Sequence, residues 1–300
     1  MDSLLRKNKG LTLIELMVAL VITGILVAAI YRTFIGQQKT YTVQEQVVDM
    51  QQNARAAVNR MTTEMRMAGF GNVSMLLPNP GITIGGKNYT DVVNPDYPAA
   101  GSVTILYGIG STTLTAIPAS NQITVKSLTD SQGNVLFDTG DRKYVSIGGV
   151  ESYAITNIAG NTLTLSGNLT YGHLARMDHL DANGNPVDAY GNLVIVPVFA
   201  IRAVSYQVDG TQTLLRDEIP RPSTQVVQLA QPLADNIESL QFGYRDASDN
   251  PPASNANIRV ILVTLRARTN VSDPEYKTDG GFRKRQIASR IHLKNMGLEL

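Results

Sequence analysis

Hydrophobic and polar positions follow three successive regimes along the chain. From Leu11 to Ile30 nearly every residue is apolar, and Glu15 is the single charge between Leu11 and Tyr31. Twenty helical residues at about 1.5 Å each cover the roughly 30 Å of a bilayer core. The run therefore predicts a membrane-spanning helix. From Gly36 to Ala68 the pattern turns amphipathic. Val43, Val47, Met50, Ala54, Ala57, Met61, Met65 and Ala68 recur at three- and four-residue intervals and fall on one helix face. Arg60 and Glu64 stand at i,i+4. No proline interrupts the two runs, so one helix from Leu11 to Ala68 is expected, closed by Gly69-Phe70-Gly71 as a C-terminal cap. Its apolar stripe suits packing on the chain's own sheet, or along some turns a seam with another subunit.

After Gly71 the period falls to two. Strands are expected at Ser102–Tyr107, Gln122–Leu128, Lys143–Ile147, Ser152–Ile158 and Thr162–Ser166. Others follow at Leu193–Val208, Gln212–Arg216, Ile237–Arg245, Ile258–Arg268 and Phe282–Lys294. Val208 and Leu214 flank Asp209-Gly210, which predicts a hairpin with that pair in its turn. Residues 72–100 hold four prolines and little periodicity, and read as an irregular loop; 246–257 reads as an exposed loop between strands. The fold class is α+β, a long N-terminal helix packed on a β-rich globular head.

Composition narrows the chemistry. With 43% hydrophobic and 17% charged residues most of the chain should fold, and a net charge of +1 gives no general electrostatic attraction to nucleic acid or acidic lipid. The absence of cysteine excludes disulfides, thiolate metal sites and cysteine nucleophiles. With three histidines and no triad, paired-carboxylate or cofactor signature, the chain does not read as an enzyme.

Glu15 carries more information than any total. Arg6, Lys7 and Lys9 precede the apolar run, which keeps that end cytoplasmic and turns the rest of the chain outward. Three readings fit this layout: a secretory signal cut near Val27-Ala28-Ala29, an uncleaved anchor, or a leader cut after Gly10. An ionised carboxylate at membrane depth costs several kcal/mol and normally has a partner and a function. A signal or a plain anchor has no use for one. A cut after Gly10 makes Leu11 a free amine one helical turn from Glu15, at the positive end of the helix dipole.

The stretch K-G-L-T-L-I-E-L-M-V-A-L, residues 9–20, resembles the class III prepilin leader of type IV pilins and type II secretion pseudopilins. The resemblance implies that a prepilin peptidase cuts after Gly10 and N-methylates Leu11, and that Glu15 guides assembly. Leu11 stands where the family usually has Phe. QQNARAAVNRMTTEMRMAGF, YQVDGTQTLLRD, LADNIESLQFGYRD, IRVILVTLRART and RKRQIASRIHLKNM resemble a PilW-type minor pilin, and J-type minor pseudopilins share the plan. The likeness covers most of 1–70 and 193–300. It implies a leader at 1–10, a transmembrane half of the helix at 11–31, a periplasmic half at 32–71 and a head at 72–300. Within the head, 193–300 would be the core strands and 72–192 a candidate insertion.

The implied role is a minor subunit that primes or caps a type IV pilus, first held in the inner membrane with its head in the periplasm and then carried to the filament tip. Its implied partners are prepilin peptidase, other minor and major pilins and the pilus assembly platform. A J-type pseudopilin, or an adhesin or DNA-uptake head on the same stem, is the alternative, although no residue pattern supports a DNA or surface ligand.

Weaker motifs resolve into ordinary ones. Gly81 to Asn88 approaches a phosphate-binding loop, but Asn88 replaces the hydroxyl and no helix follows, so a glycine turn between strands is expected. Asp181, Asn183, Asn185 and Asp188 place oxygen donors at calcium-loop spacing, yet Pro186 and Asn192 break the EF-hand pattern. A polar turn explains these four residues; calcium is the alternative, and no other cofactor is expected. His173, Asp178, His179 and Asp181 lack the spacing of a zinc site. Arg266, Arg268, Arg283, Lys284, Arg285, Arg290 and Lys294 make the last strands basic, which a solvated sheet face explains without aromatic platforms for DNA.

Overall fold

The computed structural model describes residues 11–77, 81–96, 99–115, 120–170, 179–182, 186–188, 190–191, 194–220 and 230–296. Helix α1 runs from Leu13 to Met65, about 80 Å at standard rise. The strands are β1 (Ile82–Ile84), β2 (Lys87–Tyr89), β3 (Val93–Pro95), β4 (Val103–Thr113) and β5 (Gln122–Thr124). Next come β6 (Tyr144–Ile147), β7 (Glu151–Ala159), β8 (Thr162–Leu165), β9 (His179–Leu180) and β10 (Pro186–Val187). The last are β11 (Pro197–Val208), β12 (Leu214–Ile219), β13 (Gln231–Ala234), β14 (Ile237–Arg245), β15 (Val260–Arg268) and β16 (Lys284–His292). The architecture is α+β, a long apolar helix followed by a head of antiparallel sheets.

The described residues form two compact units, one of 11–49 with Thr269–Arg283 and one of Met50–Arg268 with 284–296. In the first, the loop Thr269–Arg283 is closed by the Thr269 N–H donating to the Arg283 carbonyl at 2.9 Å. Arg283 holds Asp273 at 3.0 Å and lies over the Tyr276 ring. Lys39 of α1 meets Glu275 at 3.3 Å with both side chains exposed, a contact of small energetic value.

In the second unit β11 is the hub. One flank pairs with β4 from Pro197 to Tyr206; the other pairs first with β6 and then with β12. Both faces of β11 are buried, which is why its sequence is an almost unbroken apolar run rather than an alternating one. Val198 and Ala200 enter a core with Ile123, Val145, Ile155 and Leu163, while Ile201 and Ala203 enter another with Ile82, Tyr89 and Leu106. Strands β14, β15 and β16 form a separate meander, and β15 alternates cleanly, burying Ile261, Val263, Leu265 and Ala267. The expected helix stripe is buried from Met50 onward through Ala54, Ala57, Met61 and Met65. Thr62 meets Ser289 of β16 at 3.4 Å, so this part of α1 lies on its own sheet.

Three expectations need correction. The helix stops at Met65, and residues 66–72 leave it in turns rather than continuing to Ala68. There Gly69 donates to the Leu106 carbonyl at 2.9 Å and Gly71 sits at φ +90°, so the exit joins β4. Residues 72–100 are not an irregular loop: they hold a short 3₁₀ turn at Val73–Leu76, the β1–β2 hairpin and β3. Three-residue strands are too short to declare a period. Gly85 and Gly86, both at positive φ, make the glycine turn between strands expected in place of a phosphate loop. Strand β13, Gln-Pro-Leu-Ala, also escapes prediction because a proline edge strand looks like a linker.

The Asp209 hairpin forms with a different mechanism from the one expected. Gln212, not Gly210, adopts positive φ, and Asp209 works through its side chain: Oδ1 accepts the Thr211 and Thr213 N–H groups at 2.9 and 2.8 Å. The Asp209 N–H donates to the Thr213 carbonyl at 3.0 Å. Asp130–Asn134 and Asp246–Asn250 repeat the device, each with its fourth residue left-handed. These N–H donors, Thr213 first at Asp209 and the Asn134 amide first at Asp130, hold both carboxyls below the usual range.

Candidate assembly site on the N-terminal helix

Thr12 and Glu15 open α1 as a reciprocal capping box. The Glu15 N–H donates to Thr12 Oγ1 at 3.3 Å, while Glu15 Oε2 accepts the Thr12 N–H at 2.9 Å and the Thr12 hydroxyl at 3.0 Å. The sequence signal for this, Thr-x-x-Glu before an apolar run, is present at residues 12–15. Glu15 is thus satisfied within its own helix while Leu11 is still peptide-bonded to Gly10. Gly10 itself lies outside the described residues.

The residues that follow have no cover. Leu11 is 80% exposed, and Leu13, Ile14, Leu20, Ile25 and Ile30 are all exposed as well. Among the described residues α1 is the one helix long and apolar enough to cross a membrane, and none of its most apolar window is buried. An uninterrupted apolar surface of this size is a surface made for lipid or for other helices.

Residues 5–31 match the prokaryotic N-terminal methylation motif. The match supports a type IV pilin-like protein, whose motif implies processing by a prepilin peptidase and association with other pilins. It is consistent with membrane anchoring and display in a pilus, and proteins of this kind are structural rather than catalytic. No curated protein and no solved structure matches the chain.

A second cluster, missed in the sequence, fixes the end of α1. Glu64 is 6% exposed and receives Arg216 Nε at 2.9 and 3.1 Å, the Tyr206 hydroxyl, and Arg60 Nη2 at 2.5 Å. Tyr206 and Arg216 are directly opposed on the β11–β12 ladder. Burial, then the neighbouring Glu64 charge, pushes the Tyr206 and Tyr107 phenols well above their ordinary value. Burial alone would depress Arg216, but its hydrogen bond and charge pairing with Glu64 reverse that and raise it. The signal was Glu64 itself, three residues from Met61 and four from Ala68, hence on the apolar face.

Asn183 and Asn185 of the calcium set lie outside the described residues, as do His173 and Asp178, while Asp181 and Asp188 flank the β9–β10 pair. The basic strands are largely neutralised in place: Arg266 pairs with Glu238 at 2.9 Å, Lys284 also with Glu238, and Arg290 with Asp249 at 2.7 Å.

Proposed function

We propose that this chain is a PilW-like minor pilin that primes or caps type IV pilus assembly after a prepilin peptidase cuts between Gly10 and Leu11. The carrying observation is register: the methylation motif runs to residue 31 and covers the start of a helix whose apolar side chains there are exposed, with one carboxylate, Glu15, in its first turn. In this reading Leu11 is the methylated first residue. Its new amine, or that of a neighbouring subunit, draws Glu15 out of the capping box and pairs with it in lipid, where an ion pair replaces an isolated charge. The likeness to PilW-type subunits rests partly on segments that form the β11–β12 hairpin and the β14–β15–β16 meander.

N-terminal sequencing of protein purified from its host tests the reading. Start at Leu11 is expected, with a methylated amine by mass spectrometry. An intact Met1, or a start beyond Glu15, refutes it. Deletion of the gene should abolish piliation and twitching; loss of protein secretion with normal pili would reassign the chain to a type II secretion filament.

A further inference from the structure

Strand β11 carries Arg202 in the middle of its apolar run, only 4% exposed. Its guanidinium donates through Nη1 to the Ile201 carbonyl at 3.0 Å and through Nη2 to the Leu136 carbonyl at 2.6 Å. Among the described residues it forms no ion pair, in contrast to Arg216, which is equally buried and pairs with Glu64 and Glu218. Burial, then the Arg142 charge, draws Arg202 down to about 10, so it stays cationic at neutral pH. Glu218 and Asp138 favour its charge from beyond ion-pair distance, but a buried guanidinium whose direct partners are carbonyl dipoles is costly, and it leaves room for a closer anion.

Arg202 borders a cavity of about 250 Å³. Ile109, Val135, Leu136 and Pro220 give it apolar walls, and Arg142, itself paired with Asp138 at 3.3 Å, also borders it. Two carboxylates also line it, but both are engaged: Asp130 accepts the Gln132 and Asn134 N–H groups and the Asn134 amide, and Glu218 holds Arg216 at 3.2 Å.

We propose that this cavity binds a small organic monocarboxylate, with its carboxylate on Arg202 and its hydrocarbon part against Ile109, Val135, Leu136 and Pro220. A planar guanidinium matches a carboxylate in shape, and mostly apolar walls with a few fixed polar groups are the usual make-up of a small-molecule site. Asp130 and Glu218 select against a more highly charged phosphate.

The test is thermal unfolding of the full-length protein in detergent with acetate, butyrate, benzoate, inorganic phosphate or sodium chloride at matched ionic strength. At about 100 mM, roughly 100-fold above a millimolar Kd, butyrate and benzoate should raise the midpoint by several degrees, acetate by less, and phosphate and chloride not at all. Arg202→Met keeps the volume without the charge and should lose every carboxylate shift. Ile109→Phe, which fills the apolar wall and leaves Arg202 in place, should lose the benzoate shift and keep that of acetate. The Ile109→Phe comparison stands even if Arg202→Met does not fold. No carboxylate-specific shift in the unaltered protein, an equal shift by phosphate, or full shifts retained in Arg202→Met would each overturn the proposal.

Discussion

Replacing Arg216 with Met tests how α1 is fastened to the strands. The substitution removes the guanidinium that donates to both Glu64 oxygens and leaves a carboxylate with a 7% exposed side chain. Losing one partner of a buried ion pair costs about 3–5 kcal/mol. Tyr206 still donates to Glu64, and Arg60, 58% exposed, still reaches it at 2.5 Å, so the low end, about 3 kcal/mol, is expected. For a domain of this size that lowers the midpoint by about 6–12 °C. Glu64→Leu should cost a similar amount because it removes the acceptor of Arg216 Nε and of the Tyr206 hydroxyl and leaves Arg216 with Glu218 alone. The double variant is the decisive one: independent sites would sum to about 6 kcal/mol, whereas an apolar pair in place of the ions should cost about 3 kcal/mol or less, with part of that from the Tyr206 hydroxyl losing its acceptor. Urea unfolding followed by near-ultraviolet circular dichroism of the tyrosines, the chain having no tryptophan, gives each value. A loss under about 1 kcal/mol for Arg216→Met, or an additive double variant, refutes the argument.

Other outcomes follow from the same geometry. Glu15→Ala should leave membrane insertion and leader processing intact while abolishing assembly, read as sheared-filament yield; normal filaments would contradict the role proposed for Glu15. Gly71→Ala should cost at least about 2 kcal/mol, because φ is +90° and a Cβ there lies 2.8 Å from Ser146 Oγ, whereas Gly210→Ala, with open space around it, should be neutral or slightly stabilising. Burial raises the Tyr107, Tyr206 and Tyr244 phenols, and lifts Tyr153 to about 12. The folded state thus favours the neutral phenol, a stabilisation fully present below pH 10 and lost as pH climbs from 10 toward the folded values. Absorbance titration should show these four of the 12 tyrosines ionising only within the alkaline unfolding transition; a single smooth titration of all 12 near pH 10 would refute it.

The long-period features were legible in the sequence. The stripe through Met50, Ala54, Ala57, Met61 and Met65 declares a helix because seven or more residues repeat one spacing. Ile237–Arg245 is a strand with the bounds expected, since its register is backed by nine residues of pattern. Shorter pieces were not legible: β1, β2 and β3 hold three residues each and owe their pairing to Gly85–Gly86 and to β4. At the helix start the Thr12–Glu15 box was written in the residues, but the membrane argument for Glu15 draws attention away from the local one. Taken by its charge, Glu64 pairs with exposed Arg60; taken by its phase it belongs inside, and only the fold supplies Arg216 and Tyr206, more than 140 residues away. Arg202 is likewise visible as a lone cation in an apolar run, yet its cavity is assembled by residues from four separate parts of the chain.

A mechanical consequence follows from β11 being bonded on both flanks. Tension entering through Glu64 reaches the strand at Tyr206 and its neighbour at Arg216. Because β4 runs alongside β11 for most of its length and β6 and β12 hold the opposite side, that load is shared by ladders on both flanks. Withdrawing β11 therefore means breaking hydrogen bonds on two sides, where an edge strand would give up only one.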